Sequence, residues 1–517
     1  MTPRRRGRPN TVPDDIERDL FGAVSHQSAA RWLLRTCRTH SPDPALSTVR
    51  GFATALNGPS HPGTDASTIS RWERLTTRMP AAAVARYEKL CDLPAGQLAA
   101  VLTSLGHGPN RAADHPAPSV RSRMSDLLDR GLGSDELSGV DWLELIEFLV
   151  TSGNLLPTRD WHLLVTRLLT EMSVSVSWHY LHRLAALHRL HHHPEAARAL
   201  VPVIAGFVTA QSCQVIADPL ALLAANPQPS AQPLLMRLLR HPLDEHHLRA
   251  AMVAWSVRTT ATSDDVVRRI AAVAAGHLLD PGQPQAVRRA AADLLATCPA
   301  DTLDTGVRHV RRGLRVELDL RAVLDHRALI TPASNASVVA TLTEAVQDAD
   351  EDDGSTLPSL IHQAMYSTNS DAKVIAGNVL GASPVRAGLV AAACRHLAEL
   401  DSARQPDDVA ALADLVGGLG DATHRPSLEG VLTTPAPGAV VAAAQGLAHL
   451  PGRTDVATWL RVLALHPTPE IVRAVAYAAG MNQDRATLWT LRADARVSQR
   501  VTWWLNLPSA AQRSARR

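Results

Sequence analysis

Apolar side chains recur at intervals of three and four through most of this chain, while runs alternating apolar and polar residues are scarce, so the sequence predicts an all-α fold. Five helices are predicted near the N-terminus. Ala29, Trp32, Leu33 and Thr36 share one face of a first helix, Ser25 to Cys37, which ends before the breaker Ser41 to Pro44. Val49, Phe52, Ala53 and Leu56 form the stripe of a second, Thr48 to Leu56. After the turn-forming Asn57 to Gly63, Asp65 is a good N-cap for a third helix in which Ile69 and Trp72 point inward. That leaves Ala66, Ser67, Ser70 and Arg71 facing outward. AAAVARYEKL (81–90) and GQLAAVL (96–102) supply the fourth and fifth.

Gly106 to Val120 has the Gly, Pro and polar composition of a linker. From Ser122 to Pro508, apolar helical segments alternate with Pro, Gly and Asp punctuation. Periodicity is clearest late in the chain: Leu419-Gly420-Asp421 recurs as Leu450-Pro451-Gly452, and Val441 recurs as Val472, both at a step of 31 residues. Looser copies start at Asp244, Pro284 and Asp371. A capping Pro or Asp, then Val or Leu, a polar residue and Ala-rich positions resembles HEAT-type helical repeats, which stack as an α-solenoid. The resemblance is clearest over 240–505. Over 122–240 a TPR-like or irregular helical arrangement fits the pattern equally.

Formal charge is only +2, but it is unevenly placed. Residues 1–90 hold 14 Arg and Lys against 8 Asp and Glu, an excess that suits contact with phosphates. Lysine occurs only at Lys89 and Lys373, so arginine is the general-purpose cation of the chain. Cys37, Cys91, Cys213, Cys298 and Cys394 are widely spaced, which predicts reduced thiols. No N-terminal apolar segment and no membrane-length apolar run stands in the sequence, so a soluble, cytoplasmic, nucleoid-associated protein is expected.

RRRGRP (4–9) resembles an AT-hook core. Pro9 keeps Arg8 extended, Gly7 allows close backbone approach, and Arg5, Arg6 and Arg8 suit a narrow minor groove. A basic tail adding non-specific phosphate attraction is the alternative. Asp14 to Asp19 are expected to cap the first helix.

Residues 25–102, with Ile-Ser-Arg-Trp-Glu in the third helix, resemble a Cro/CI-type (XRE) helix-turn-helix domain of actinobacterial type. The resemblance covers about 15% of the chain. It implies that Ala66, Ser67, Ser70 and Arg71 meet base edges in the major groove, with Arg71 suited to guanine. Arg74 and Arg78 would lie near phosphates. Two departures stand out: Val49 replaces the usual Gln at the start of the second helix, and the turn between the second and third helices is about five residues longer than usual.

Other clusters have bland readings. His179, His182, His188, His191, His192 and His193 are expected to form a solvated helix end, Asp244 to His247 an acidic helix N-terminus, and Asp348 to Asp353 a solvated loop. Arg308 to Arg321 reads as an exposed helix face or a phosphate-binding patch. Gly417 to Gly420 lacks the lysine of a phosphate loop and reads as a helix C-cap, and Trp503-Trp504 should cover the last repeat.

The expected organisation is a disordered basic arm (1–20), a helix-turn-helix domain (21–105), a linker (106–121), a HEAT-like α-solenoid (122–507) and a basic tail (508–517). The expected function is a sequence-specific DNA-binding transcriptional regulator without cofactor, metal or catalytic residues. It would act as a homodimer on double-stranded DNA, with a protein partner or small-molecule effector on the solenoid. A protein-interaction scaffold is the alternative, and a HEAT-like DNA-repair glycosylase a third.

Overall fold

The computed structural model describes residues 23–508 apart from 42, 58–62, 110–117, 153–155, 211–212, 214, 260–261, 305–306, 312–313, 331–334, 347–355 and 368. The arm with Arg5, Arg6 and Arg8, the acidic stretches 14–19 and 348–353, and the tail from 509 lie outside the described residues.

The fold is all-α, built of short helices from His26 to Asn506 with one pair of antiparallel strands among the described residues. The first five are α1 (His26–Thr39), α2 (Val49–Leu56), α3 (Ala66–Glu73), α4 (Ala81–Leu90) and α5 (Gln97–Ser104). α1 is capped by Ser25, whose hydroxyl accepts from the Ser28 amide. The stripes read from sequence face inward: Ala29, Trp32, Leu33, Phe52, Leu56 and Ile69 are all buried.

The chain divides into two compact units. One takes Met1–Ala112 with Ser334–Gly446, the other Ala113–Ala333 with Leu447–Arg517. The break after Ala112 falls in the expected linker, but the repeat region 122–507 contributes to both units. In the first unit the N-terminal bundle is packed on helices far along the chain, with hydrogen bonds spanning 284 and 339 residues. Its α1 and α5 meet the helices Thr356–Tyr366 and Ser370–Gly381. Buried amides seal this contact. Val24 N–H donates to Gln363 Oε1 (2.9 Å), Gln363 Nε2 to the Ala372 carbonyl (2.8 Å), and Gln97 Nε2 to the Gly381 carbonyl (3.0 Å).

The clearest repeat helices, Pro406–Leu419, Pro437–His449 and Pro469–Met481, all begin on proline, whose missing N–H costs nothing in a first turn. These prolines align Val409, Val440 and Val472, all buried, so the first step is 31 residues and the second 32. Val440, rather than Val441, is therefore the counterpart of Val472. Gly417 also differs from expectation. It lies inside its helix, where a Cβ would stand 2.2 Å from the Gly446 Cα, so the two helix backbones touch; only Gly420 is a C-cap.

The Arg308 to Arg321 stretch is not a helix face. Val307–Arg311 (β1) and Leu314–Leu318 (β2) pair antiparallel, Val307 opposite Leu318 and Arg311 opposite Leu314. Leu314, Val316 and Leu318 alternate with Arg315 and Glu317, a period-two signal sufficient for a short strand.

The second unit buries its ionic residues in pairs. Glu171, fully buried, accepts from Trp142 Nε1 (2.7 Å), Arg167 Nε (2.9 Å) and Arg183 Nε (3.4 Å). His247 is held at both ring nitrogens, Nδ1 by Asp244 (2.7 Å) and Nε2 by the Val208 carbonyl (2.9 Å). Burial opposes its protonation, but these acceptors outweigh that and raise its pKa. Trp504 is buried flat against Gly480 in the last proline-initiated helix, and the half-exposed Trp503 meets Phe207 edge-on at 6.0 Å.

The backbone contact at Gly417 makes a local prediction. Gly417→Ala should destabilise by about 1–3 kcal/mol through overpacking. Gly418→Ala, where a Cβ meets nothing within 4 Å, should stabilise by roughly 0.5–1 kcal/mol. Urea unfolding of the two variants checks the contrast.

Candidate nucleic-acid interface

The outward face of α3 is fixed by what its inward face grips. Ile69 and Trp72 are buried, and Glu73 is tied to the buried Arg38 of α1 in a forked pair. Nε to Oε1 is 2.5 Å and Nη2 to Oε2 is 3.2 Å. The same guanidinium donates through Nη1 to the Ser47 carbonyl. One side chain thus joins α1, the turn Pro44–Ser47 and the end of α3.

At the other end Asp65 accepts from the Thr68 amide (2.7 Å) and the Ser67 hydroxyl (2.9 Å). These bonds hold its carboxyl down to about 2, so it caps α3 as an anion. The long turn before it is closed at its base: Asn57 Nδ2 donates to the Thr64 carbonyl (2.9 Å) and Thr64 N–H to Asn57 Oδ1 (2.8 Å). Arg86 of α4 caps the end of α2 by donating to the carbonyls of Ala55 (2.9 Å) and Asn57 (3.3 Å). The extra residues therefore leave the bases of α2 and α3 joined.

Of the four residues expected at base edges, Ser67 and Arg71 are exposed, and Ala66 and Ser70 half-buried. Arg71 makes no ion pair into the fold; its Nη2 rests on Thr68 Oγ1 at 2.9 Å. Arg74 folds along the helix, donating to the Ser70 carbonyl (3.0 Å) and hydroxyl (2.8 Å). Arg78 is exposed beyond the helix end. Val49, the departure in α2, is half-buried beside the exposed Arg50.

Two cationic or titratable groups near this face, Arg31 and His107, stand apart from the residues expected from sequence. Arg31 of α1 donates Nε to the Arg74 carbonyl (3.3 Å). His107 lines a cleft with Arg78, Thr77 and Trp72. Burial, then Arg78, His26 and Arg31, lower its pKa. Only Arg31, three residues from Ser28 on a helix whose other face is apolar, carried a sequence signal, and it was faint.

The histidine segment is less solvated than expected. His182 and His193 are buried. His193 stacks on Trp161 at 4.8 Å and accepts the Ala196 amide through Nδ1. Burial, then His188 and His192, push His191 down to about 4. Imidazoles fill these sites because a helix start and a tryptophan face each take one side of the ring. Asp244 is the N-cap of the helix Glu245–Arg258, as the acidic N-terminus predicted. Among the described residues no three His, Cys, Asp or Glu side chains form a metal-holding group, no disulfide joins the five cysteines, and no single helix is long and apolar enough to cross a membrane.

No family model and no curated protein matches the chain. Among solved structures it is similar to an engineered protein at 16% identity, covering 80% of this chain and 99% of that one at a TM-score of 0.21. It is also similar to Kap121p bound to Ste12p at 12% identity and a TM-score of 0.20. A Kap121p mutant matches at 12% and 0.19. The chain spans about half the length of the Kap121p chains. At such scores the overlaps bear on neither fold nor function.

The buried fork at Arg38 is expected to dominate the stability of this site. Arg38→Met should destabilise by about 3–5 kcal/mol, because it strands Glu73 near the core. Adding Glu73→Gln should recover part of that loss, as read by urea unfolding of the single and double variants.

Proposed function

We propose that this protein is a sequence-specific DNA-binding transcriptional regulator whose α3 enters the major groove. The observation that carries the reading is the division of α3. Ile69, Trp72 and Glu73 are locked inward, while Arg71 and Ser67 project freely from a capped and oriented helix. Arg71 then supplies the fork for a guanine edge, and Ser67, whose proton is committed to Asp65, presents acceptor lone pairs to a base amino group. Ala66 and Ser70 pack beside these contacts. Arg74 and Arg78 hold flanking phosphates and supply salt-dependent affinity, and the arm residues Arg5, Arg6 and Arg8 follow the adjacent minor groove.

One eight-residue helix reads few base pairs, so a homodimer on paired half-sites is part of the proposal. The helical repeats hold the partner or effector surface. The resemblance to XRE regulators supports this reading, and so does the exposure of Arg71.

Genomic immunoprecipitation followed by gel shifts tests it. Arg71→Ala should weaken binding to the recovered motif by about 1–3 kcal/mol and relax sequence preference. Arg74→Ala should weaken binding to all sequences alike and reduce the salt slope by about one. Diffuse enrichment without a motif, or an Arg71→Ala variant that binds like the parent, would refute sequence-specific reading.

A further inference from the structure

α3 ends on an unusual residue. Leu75 sits in the left-handed region (φ 58°), closing the helix with bonds from Leu75 N–H to the Trp72 carbonyl and from Thr76 N–H to the Arg71 carbonyl. Glycine normally takes this position, and a leucine there holds backbone strain. The turn carries Arg78 back to the end of α5. There Gly106 (φ 79°) makes the equivalent closure and directs His107 beside Arg78. The two side chains line one cleft of about 20 Å³, floored by Trp72 and Leu102.

The charged groups facing His107 are Arg78 from this turn and His26 and Arg31 from α1, all of them basic. Asp371, near the start of the helix Ser370–Gly381, faces His26. Burial and these charges disfavour the protonated imidazole, and an anion beside it would favour that form. The cleft adjoins the C-terminal end of α3, where Arg31 meets the Arg74 carbonyl.

We propose that a backbone phosphate of bound duplex lies across the mouth of this cleft, between the exposed Arg78 and His107, and that His107 takes up one proton as it does so. The inference rests on the DNA reading of α3 and adds to it a proton-linked contact. The phosphate accepts from the Arg78 guanidinium and from the newly protonated imidazole. The proton comes from solvent, so binding and protonation are coupled. Because the His107 pKa is then higher in the complex than in the free chain, affinity is greatest below the free value. It falls as pH rises towards the bound value, by at most about tenfold per pH unit for one proton.

The test uses the full chain and a short random-sequence duplex at fixed salt, with dissociation constants measured across the ordinary histidine range near about 6.5. Affinity should fall severalfold with rising pH in the wild type and in His26→Gln, and become nearly flat in His107→Gln. Arg78→Ala, at an exposed position, is the second variant should His107→Gln lower the melting temperature, and its slope should also shrink. A slope retained in both His107→Gln and Arg78→Ala, or lost in His26→Gln instead, overturns the inference and leaves the DNA reading standing. Failure of the wild type to bind duplex at any pH overturns both.

Discussion

Short helices leave many carbonyls unsatisfied at their C-terminal ends, and in this chain arginines from neighbouring elements answer that need. Arg86 caps α2; Arg386 donates to the carbonyls of Leu419 (2.6 Å) and Gly420 (3.2 Å); Arg258 donates to those of Ala224 (2.7 Å) and Asn226 (2.9 Å). Arg496 reaches the Leu463 carbonyl and Arg288 that of Leu278. Arg167 spans the carbonyls of Arg130, Gly131, Gly133 and Asp135. A planar fork can satisfy two carbonyls at once, which a lysine ammonium does with less geometric definition. The near absence of lysine is thus a property of the scaffold, and arginine count alone is a poor guide to where nucleic acid would bind.

Arg71 of α3 stands out because it is spared this duty. It reaches only the Thr68 hydroxyl of its own helix, through an exposed bond, whereas Arg74 just beyond the helix end donates to the Ser70 carbonyl. Meanwhile Arg38, in the last turn of α1, is spent entirely on holding Glu73 and Ser47. The division of labour between an immobilised arginine and a free one is what gives α3 an aim.

Much of this was legible in local pattern. The helix stripes, the Asp65 cap and the inward Ile69 and Trp72 follow from spacing and side-chain chemistry within one or two turns. What escaped depends on partners distant in sequence. The Arg38 fork closes over 35 residues, and Gly417 looked like a cap because its partner Gly446 belongs to another helix. The bundle's seat on Thr356–Tyr366 and Ser370–Gly381 has no signal near residue 30, since Ala29, Trp32 and Cys37 would be apolar against any neighbour. The β1–β2 pair is obscured in the sequence because its arginines interrupt the alternation of Leu314, Val316 and Leu318. Buried histidines are similarly opaque: imidazole is chosen at Trp161 for shape and a single acceptor, neither visible in composition.

The clamp between Asn57 and Thr64 has a consequence for how this chain tolerates change. Two reciprocal amide bonds bring the loop ends together, and closure entropy grows only slowly with the number of residues enclosed. The separation of α2 from α3 is therefore set by the clamp and by Arg86, whatever the length of chain between them. Insertions or deletions within that segment are decoupled from the direction in which α3 points, which makes it a natural place for a peptide tag to be grafted.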